Sequence, residues 1–104
     1  MIWFKDVFGR NVRLTDERRE HLETAHPEMA GQLDKVAKTL EAPQTVVKSS
    51  TDTGAELYYR FYSLTALGDK YLCVVVKVKA EDAFILTVYF TDSIKKGDII
   101  WPAR

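Results

Sequence analysis

The sequence is poor in cysteine, in net charge and in long apolar runs, and each shortage excludes a class of protein. Its 104 residues contain one cysteine, Cys73, so no disulfide can form within the chain. Fifteen basic and fifteen acidic residues give a formal net charge of zero. That balance argues against nucleic-acid binding through bulk positive charge, although a nuclease needs only a local positive patch.

The apolar segments are too short to predict a transmembrane helix. The N-terminus has no basic stretch followed by an apolar core, so it does not resemble a signal peptide. A cytoplasmic location with no membrane partner is therefore expected. Hydrophobic residues make up 46% of the chain and charged residues 29%, as in ordinary globular proteins. The length predicts a single domain over residues 1–104.

Periodicity and turn residues predict an α+β fold. Residues 2–14 alternate around a break at 9–11 and predict a β-hairpin. Thr15 is a predicted N-cap of a helix that ends near Ala25, because Pro27 disfavours helical geometry before it. A second helix is expected from Pro27 to Ala42. A strand beginning at Val46, strands near 57–63, 71–78 and 83–91, and a short closing strand before 102 complete an antiparallel sheet of four or more strands.

Alternation along the strands predicts one apolar and one polar sheet face. In the first long strand, Leu57, Tyr59 and Phe61 are expected to face the core, and Tyr58, Arg60 and Tyr62 the other side. The same alternation in the strands near 71–78 and 83–91 places one set of apolar side chains from each strand in the core. The predicted core comprises Leu33, Val36, Leu40, Val74, Val76, Leu86 and Val88. The polar face would carry Arg60, Lys77, Thr87 and Tyr89.

Cations, a hydroxyl and aromatic rings on one sheet face suit a phosphodiester ligand. Tyr58 is a candidate for stacking a base beside these cations. His21 and His26 are five residues apart and do not share a helical face as a zinc-binding i, i+4 pair does. No metal site is predicted. A histidine can instead act as acid or base, and His26 is better placed because it lies where the helix must stop. No phosphate-binding loop or dinucleotide motif is present, so no cofactor is expected.

Several short segments together resemble the phage-associated PBECR nuclease domains, which belong to the barnase–EndoU–colicin–RelE-like superfamily. The similarity spans about residues 12–101. The segments that carry it are Leu14, Thr15, Glu17 and Arg18, then HLETAHPE at 21–28, Thr39 and Leu40, Pro43, LYYR at 57–60, LCVVVK at 72–77, TVYFTDSIKKG at 87–97, and Ile100 with Trp101.

The resemblance implies helices packed on an antiparallel sheet whose surface carries the active site. It further implies metal-independent RNA cleavage through attack of the ribose 2′-hydroxyl on the adjacent phosphate. The polar residues that match are His21, His26, Arg60, Lys77, Thr87, Tyr89, Thr91 and Lys95. The expected partners are RNA, with tRNA and mRNA both open, and an antitoxin-like or immunity-type protein. The alternative is a non-catalytic module that binds RNA or protein on the same surface.

Overall fold

The computed structural model describes residues 1–103, with two helices set among seven strands. In chain order the elements are β1 (Ile2–Lys5), β2 (Asn11–Leu14), α1 (Asp16–Ala25), a 3₁₀ turn (Pro27–Met29), α2 (Leu33–Glu41), β3 (Thr45–Lys48), β4 (Ala55–Thr65), β5 (Gly68–Lys79), β6 (Asp82–Thr91) and β7 (Ile99–Trp101). This order confirms the predicted α+β class.

The seven strands form one sheet in the order β1-β2-β6-β5-β4-β3-β7. Neighbours are antiparallel except β2 and β6, which run parallel and pair at Arg13 and Phe84. The expectation of a purely antiparallel sheet was therefore wrong. The Arg13 guanidinium reinforces this contact by donating to both carboxylate oxygens of Asp82, at 3.0 and 2.8 Å. An N-terminal hairpin joined in this way extends the central meander on its β6 side.

The first helix begins and ends where the sequence predicts. The Thr15 hydroxyl accepts a hydrogen bond from the amide of Arg18 at 3.1 Å, which is N-cap geometry. The second predicted helix is instead divided into a 3₁₀ turn and α2. Ala30 is extended and Gly31 has a φ of +76°, a conformation that interrupts helical hydrogen bonding and that glycine adopts readily.

The main core lies between the helices and one face of the sheet. It contains Val36, Leu40, Val74, Val76 and Val88 as predicted, with Leu33 packed at its margin. Leu86 does not belong to it, since a register shift pairs Val75 with Thr87 and Val76 with Ile85. This bulge puts Ile85 in the core and Phe84 opposite Lys77, on the other face.

The predicted register of β4 was wrong by one residue. Tyr58 pairs with Val74 and Arg60 with Leu72, so both face the helices, because directly paired residues share a sheet face. Tyr58 is fully buried in the main core. The Arg60 guanidinium donates to the carbonyl of Ala42 at 2.7 Å, just after α2. Neither side chain reaches the face that carries Lys77.

Tyr58 belongs to a buried polar network centred on Asp6, in the β1–β2 turn. The Asp6 carboxylate accepts hydrogen bonds from the amides of Phe8 and Arg10, from the Arg10 guanidinium and from the Tyr58 hydroxyl, at 2.6 to 3.0 Å. Arg10 also donates to Glu56 at 2.5 Å. Burial raises the pKa of Tyr58 well above its ordinary value, and its bond to Asp6 acts in the same direction. The network fastens the hairpin turn to β4.

Among residues 1–103, neither helix is long and apolar enough to cross a bilayer.

Candidate functional site

The sheet face turned away from the helices is partly covered by two loops, and we call it the open face. Its strand residues are Thr45, Val47, Leu57, Tyr59, Phe61, Tyr71, Cys73, Val75, Lys77, Phe84, Thr87, Tyr89 and Thr91. Residues 49–54 form a loop between β3 and β4, and residues 92–98 connect β6 to β7. Both loops contribute side chains to this face.

The connection 92–98 lies directly against the open face. The backbone amide of Lys95 donates to the Tyr59 hydroxyl at 3.2 Å. At Gly97 the backbone approaches β3 so closely that a Cβ atom would collide with the Lys48 carbonyl oxygen and the Val47 side chain. Only glycine fits there without displacing a strand. The position of Lys95 and Lys96 over the sheet is thus fixed by contacts on both sides.

A cavity of about 270 Å³ lies between the two loops. Its floor is formed by open-face residues, and its walls come from the two loops. The polar groups that line it are Ser49, Ser50, Thr51, Asp52, Thr87, Tyr89, Lys95 and Lys96. Hydroxyls and ammonium groups concentrated in one concave site are suited to an anionic ligand such as a phosphate.

A transverse row of Tyr59, Cys73 and Tyr89 crosses the centre of the open face. Cys73 is paired with Tyr59 on one side and with Tyr89 on the other. Burial raises the pKa of the Cys73 thiol from 9.0 to about 11 and that of Tyr59 from 10.0 to about 12. Burial likewise raises the pKa of Tyr89 above its ordinary value. All three groups are therefore neutral around pH 7, and Cys73 is a buried free thiol.

The raised pKa of Cys73 predicts that the protein loses stability at alkaline pH. A raised folded-state pKa means that stability is fully present below the unfolded pKa and is lost as pH rises through the folded pKa. For Cys73 that window runs from about pH 9 to about pH 11. At about 1.4 kcal/mol per pKa unit, the thiol alone accounts for a loss of about 3 kcal/mol. Urea unfolding across this window should show wild type losing more stability than Cys73→Val; parallel losses would contradict the assignment.

His26 lies at the end of α1, beside the open-face residue Tyr89. Its amide donates to the carbonyl of Leu22 and closes the helix, and Pro27 begins the 3₁₀ turn immediately afterwards. The imidazole lies with its centroid 6.2 Å from the Tyr89 ring. Its side chain is 35% exposed. The Glu28 carboxylate lies 3.6 Å from Nδ1, close enough to form an ion pair when the ring is protonated.

Three lysines supply positive charge beside the cavity, but they are not equivalent. Lys95 and Lys96 are exposed and line the cavity directly. The Lys77 ammonium instead donates to the Asp52 carboxylate at 2.5 Å. Ser49 holds this loop, because its hydroxyl accepts from the amides of Thr51 and Asp52. An anion in the cavity must therefore compete with Asp52 for Lys77.

The structure brings together some of the predicted site residues and separates others. His26, Lys77, Thr87, Tyr89 and Lys95 lie on or beside the open face, as expected. Thr91 is on the same face, and its hydroxyl donates to the carbonyl of Ser93.

Three predicted residues lie elsewhere. Arg60 and Tyr58 face the helices, as described above. His21 is exposed on α1 and lines a separate surface depression with Thr15, Glu17 and Arg18. The shared-face prediction for Arg60 and Tyr58 was wrong, and the geometry gives no support to a role for His21.

Four residues of this site were not predicted from sequence: Asp52, Tyr59, Cys73 and Lys96. Asp52 and Lys96 are in loops, where no periodicity indicates direction. Tyr59 is missed because the alternation in β4 predicts the opposite sheet face for it. The one available signal was the Lys95–Lys96–Gly97 triplet, since glycine after two cations permits close backbone approach.

Within residues 1–103 no three histidine, cysteine or acidic side chains are grouped so that they could hold a metal ion. Comparison with protein-family models, with curated protein sequences and with solved structures found no match to this chain.

Proposed function

We propose that this protein is a metal-independent endoribonuclease whose active site is the cavity of the open face. The observation that carries the proposal is the approach of His26 to Tyr89, a residue that lines a cavity together with Lys95 and Lys96. An imidazole can transfer protons in phosphodiester cleavage, and two ammonium groups can stabilise the charge that develops on the phosphate. The resemblance to the PBECR nuclease domains supports the same assignment, including a barnase-like fold.

The proposed reaction is an attack of the ribose 2′-oxygen on the adjacent phosphorus. A base removes the 2′-hydroxyl proton while the new P–O bond forms. The bond to the 5′-oxygen then breaks, and that oxygen takes a proton from an acid. The products are a 2′,3′-cyclic phosphate and a free 5′-hydroxyl. The nucleophile is supplied by the substrate, so no metal-bound water has to be generated.

His26 is the proposed acid or base. It follows the last turn of α1, and its ring lies beside that of Tyr89 on β6. The Glu28 carboxylate lies 3.6 Å from Nδ1, on one side of the ring. Nε2, the ring nitrogen farther from Glu28, is the proposed atom for proton transfer to the substrate.

Lys95 and Lys96 are the proposed phosphate ligands. The phosphate gains negative charge as the 2′-oxygen attacks, and preorganised cations stabilise that charge most strongly in the transition state. Preorganisation is provided by the Lys95–Tyr59 hydrogen bond and by the tight passage at Gly97. Thr87 and Tyr89 line the same cavity and would orient the phosphate oxygens. Tyr58 and Arg60 have no part in this mechanism.

A non-catalytic binding module is the second candidate. The Lys77–Asp52 ion pair favours it, since one of the three cations is already neutralised within the chain. In that case the cavity would bind RNA, or an acidic segment of an antitoxin-like protein, without cleaving it. Either activity accords with a cytoplasmic location, which is also part of this proposal.

Cleavage of a labelled RNA in excess EDTA, followed by analysis of the product ends, tests the proposed reaction. We expect cleavage to persist with the metal removed and the upstream product to end in a 2′,3′-cyclic phosphate. Products with 3′-hydroxyl ends, or activity that returns only with added Mg²⁺, would refute this chemistry. RNA binding without cleavage would establish the second candidate.

Release of Lys77 gives a prediction about charge at the site. In Asp52→Asn the lysine loses its partner at 2.5 Å and becomes available to a phosphate. RNA affinity should increase, and the slope of log K against log salt should steepen by about 0.7, as for one additional phosphate contact to a single strand. Asp34→Asn, at an exposed position of α2, makes the same charge change elsewhere. Equal slopes in the two variants would exclude a specific role for Asp52.

A further inference from the structure

Two aromatic rings continue the open face beyond the cavity, toward the β4–β5 hairpin. Phe61 and Tyr71 are directly paired across β4 and β5, and their ring centroids lie 5.3 Å apart in edge-to-face geometry. Tyr71 meets Tyr59 in the same manner at 6.5 Å. The Tyr59 hydroxyl accepts from the Lys95 amide. A continuous line of contacts therefore joins Phe61 to the lysines of the cavity.

Phe61 is unusually open to solvent for a residue in the middle of a long strand. It is 44% exposed although it faces the same side as the fully buried Tyr59, two residues earlier. Its amide donates to the Gln44 side chain at 2.8 Å, and Tyr71 packs against its ring. The ring is thus supported on one side by the sheet and exposed on the other. Aromatic rings held in this way are platforms on which nucleobases stack.

We propose that Phe61 and Tyr71 form a base-stacking subsite for single-stranded RNA whose phosphates are held by Lys95 and Lys96. The inference rests on the proposed function for its ligand, RNA, but not on cleavage. The RNA must be single-stranded, since in a duplex each base is stacked between its neighbours and its faces are covered. Phe61 lies four residues from the cavity residue Leu57, or about 13 Å along β4 at about 3.3 Å per residue. A few nucleotides span that distance.

The experiment measures binding of an oligonucleotide that cannot be cleaved by 2′-hydroxyl attack. A 2′-O-methyl strand of about eight nucleotides, within the usual site size for such proteins, carries 2-aminopurine as a stacking reporter. Wild type should bind it with quenched fluorescence and should bind the corresponding duplex more weakly. Phe61→Ala should weaken binding roughly 5- to 150-fold, the effect of losing one stacked base, and should abolish the quenching. Phe61→Trp should retain both.

Leu64→Ala is the matched control, because Leu64 is 93% exposed on the same hairpin and lies outside the paired aromatic residues. It should bind as wild type does. Unchanged affinity in a folded Phe61→Ala variant would overturn the subsite, as would a duplex preference or no binding by wild type. An equal loss in Leu64→Ala would also overturn it and indicate a general apolar surface for a protein partner.

RNA cleavage assayed in parallel separates the two proposals. Stacking at Phe61 without cleavage would sustain the subsite and reject the ribonuclease. Cleavage with no dependence on Phe61 would sustain the ribonuclease and reject the subsite.

Discussion

Replacing His26 with alanine should reduce RNA cleavage by at least about 100-fold while leaving the protein folded. Loss of a general acid or base usually has an effect of this size or greater. The physical reason is that the 2′-hydroxyl must lose a proton, or the 5′-oxygen gain one, as the P–O bonds change. His26 is the one histidine among residues 1–103 that contacts an open-face residue, through its ring beside Tyr89. Single-turnover cleavage rates at saturating protein measure the effect.

Two further variants sharpen this test. His21→Ala removes an exposed imidazole five residues earlier, next to Glu17 and Arg18, and should cleave at the wild-type rate. His26→Gln retains hydrogen-bonding capacity without titration, so it should be as impaired as His26→Ala. Circular dichroism establishes folding in each case. Full activity in folded His26→Ala would eliminate histidine catalysis and leave Lys95, Lys96 and Tyr89 to account for the chemistry.

The part of this site that lies on β5 and β6 was predictable from sequence. Strongly apolar residues alternate with Lys77, Thr87 and Tyr89, so the sequence predicts which sheet face these three side chains occupy. The same pattern failed on β4, where Leu57, Tyr59 and Phe61 compete with Tyr58 and Tyr62. Both sets are apolar or aromatic, and local alternation does not decide between them. The decision comes from the Asp6 network, which buries the Tyr58 hydroxyl.

Long-range and irregular features account for the other differences. No glycine marks the bulge at Leu86 in the sequence, yet the bulge turns Phe84 to the opposite face of the sheet. The parallel contact of β2 with β6 joins residues about seventy positions apart. The loops that carry Asp52 and Lys96 are positioned by a few contacts, among them those at Ser49, Tyr59 and Gly97. Periodicity contains no information about such contacts, and therefore the cavity walls could not be predicted.

Replacing Asp6 with alanine should destabilise the protein by about 3 to 5 kcal/mol, the usual result of removing one partner of a buried ion pair. Four hydrogen bonds end on this carboxylate, whose side chain is 0% exposed. Without it, the Tyr58 hydroxyl and the amides of Phe8 and Arg10 lose their acceptor. Urea unfolding at about pH 7 measures the loss. Asp82→Ala, which breaks the more exposed pair with Arg13, should cost less than about 1 kcal/mol.

Tyr58→Phe completes this series and separates stability from function. It removes one donor from the Asp6 network but keeps the buried ring, so we expect a loss of about 1 to 3 kcal/mol. Cleavage per folded molecule should be unchanged, because Tyr58 faces the helices and not the cavity. A selective loss of cleavage in stable Tyr58→Phe would return this residue to the substrate site. An Asp6→Ala variant no less stable than Asp82→Ala would show that the network does not hold the N-terminal hairpin in place.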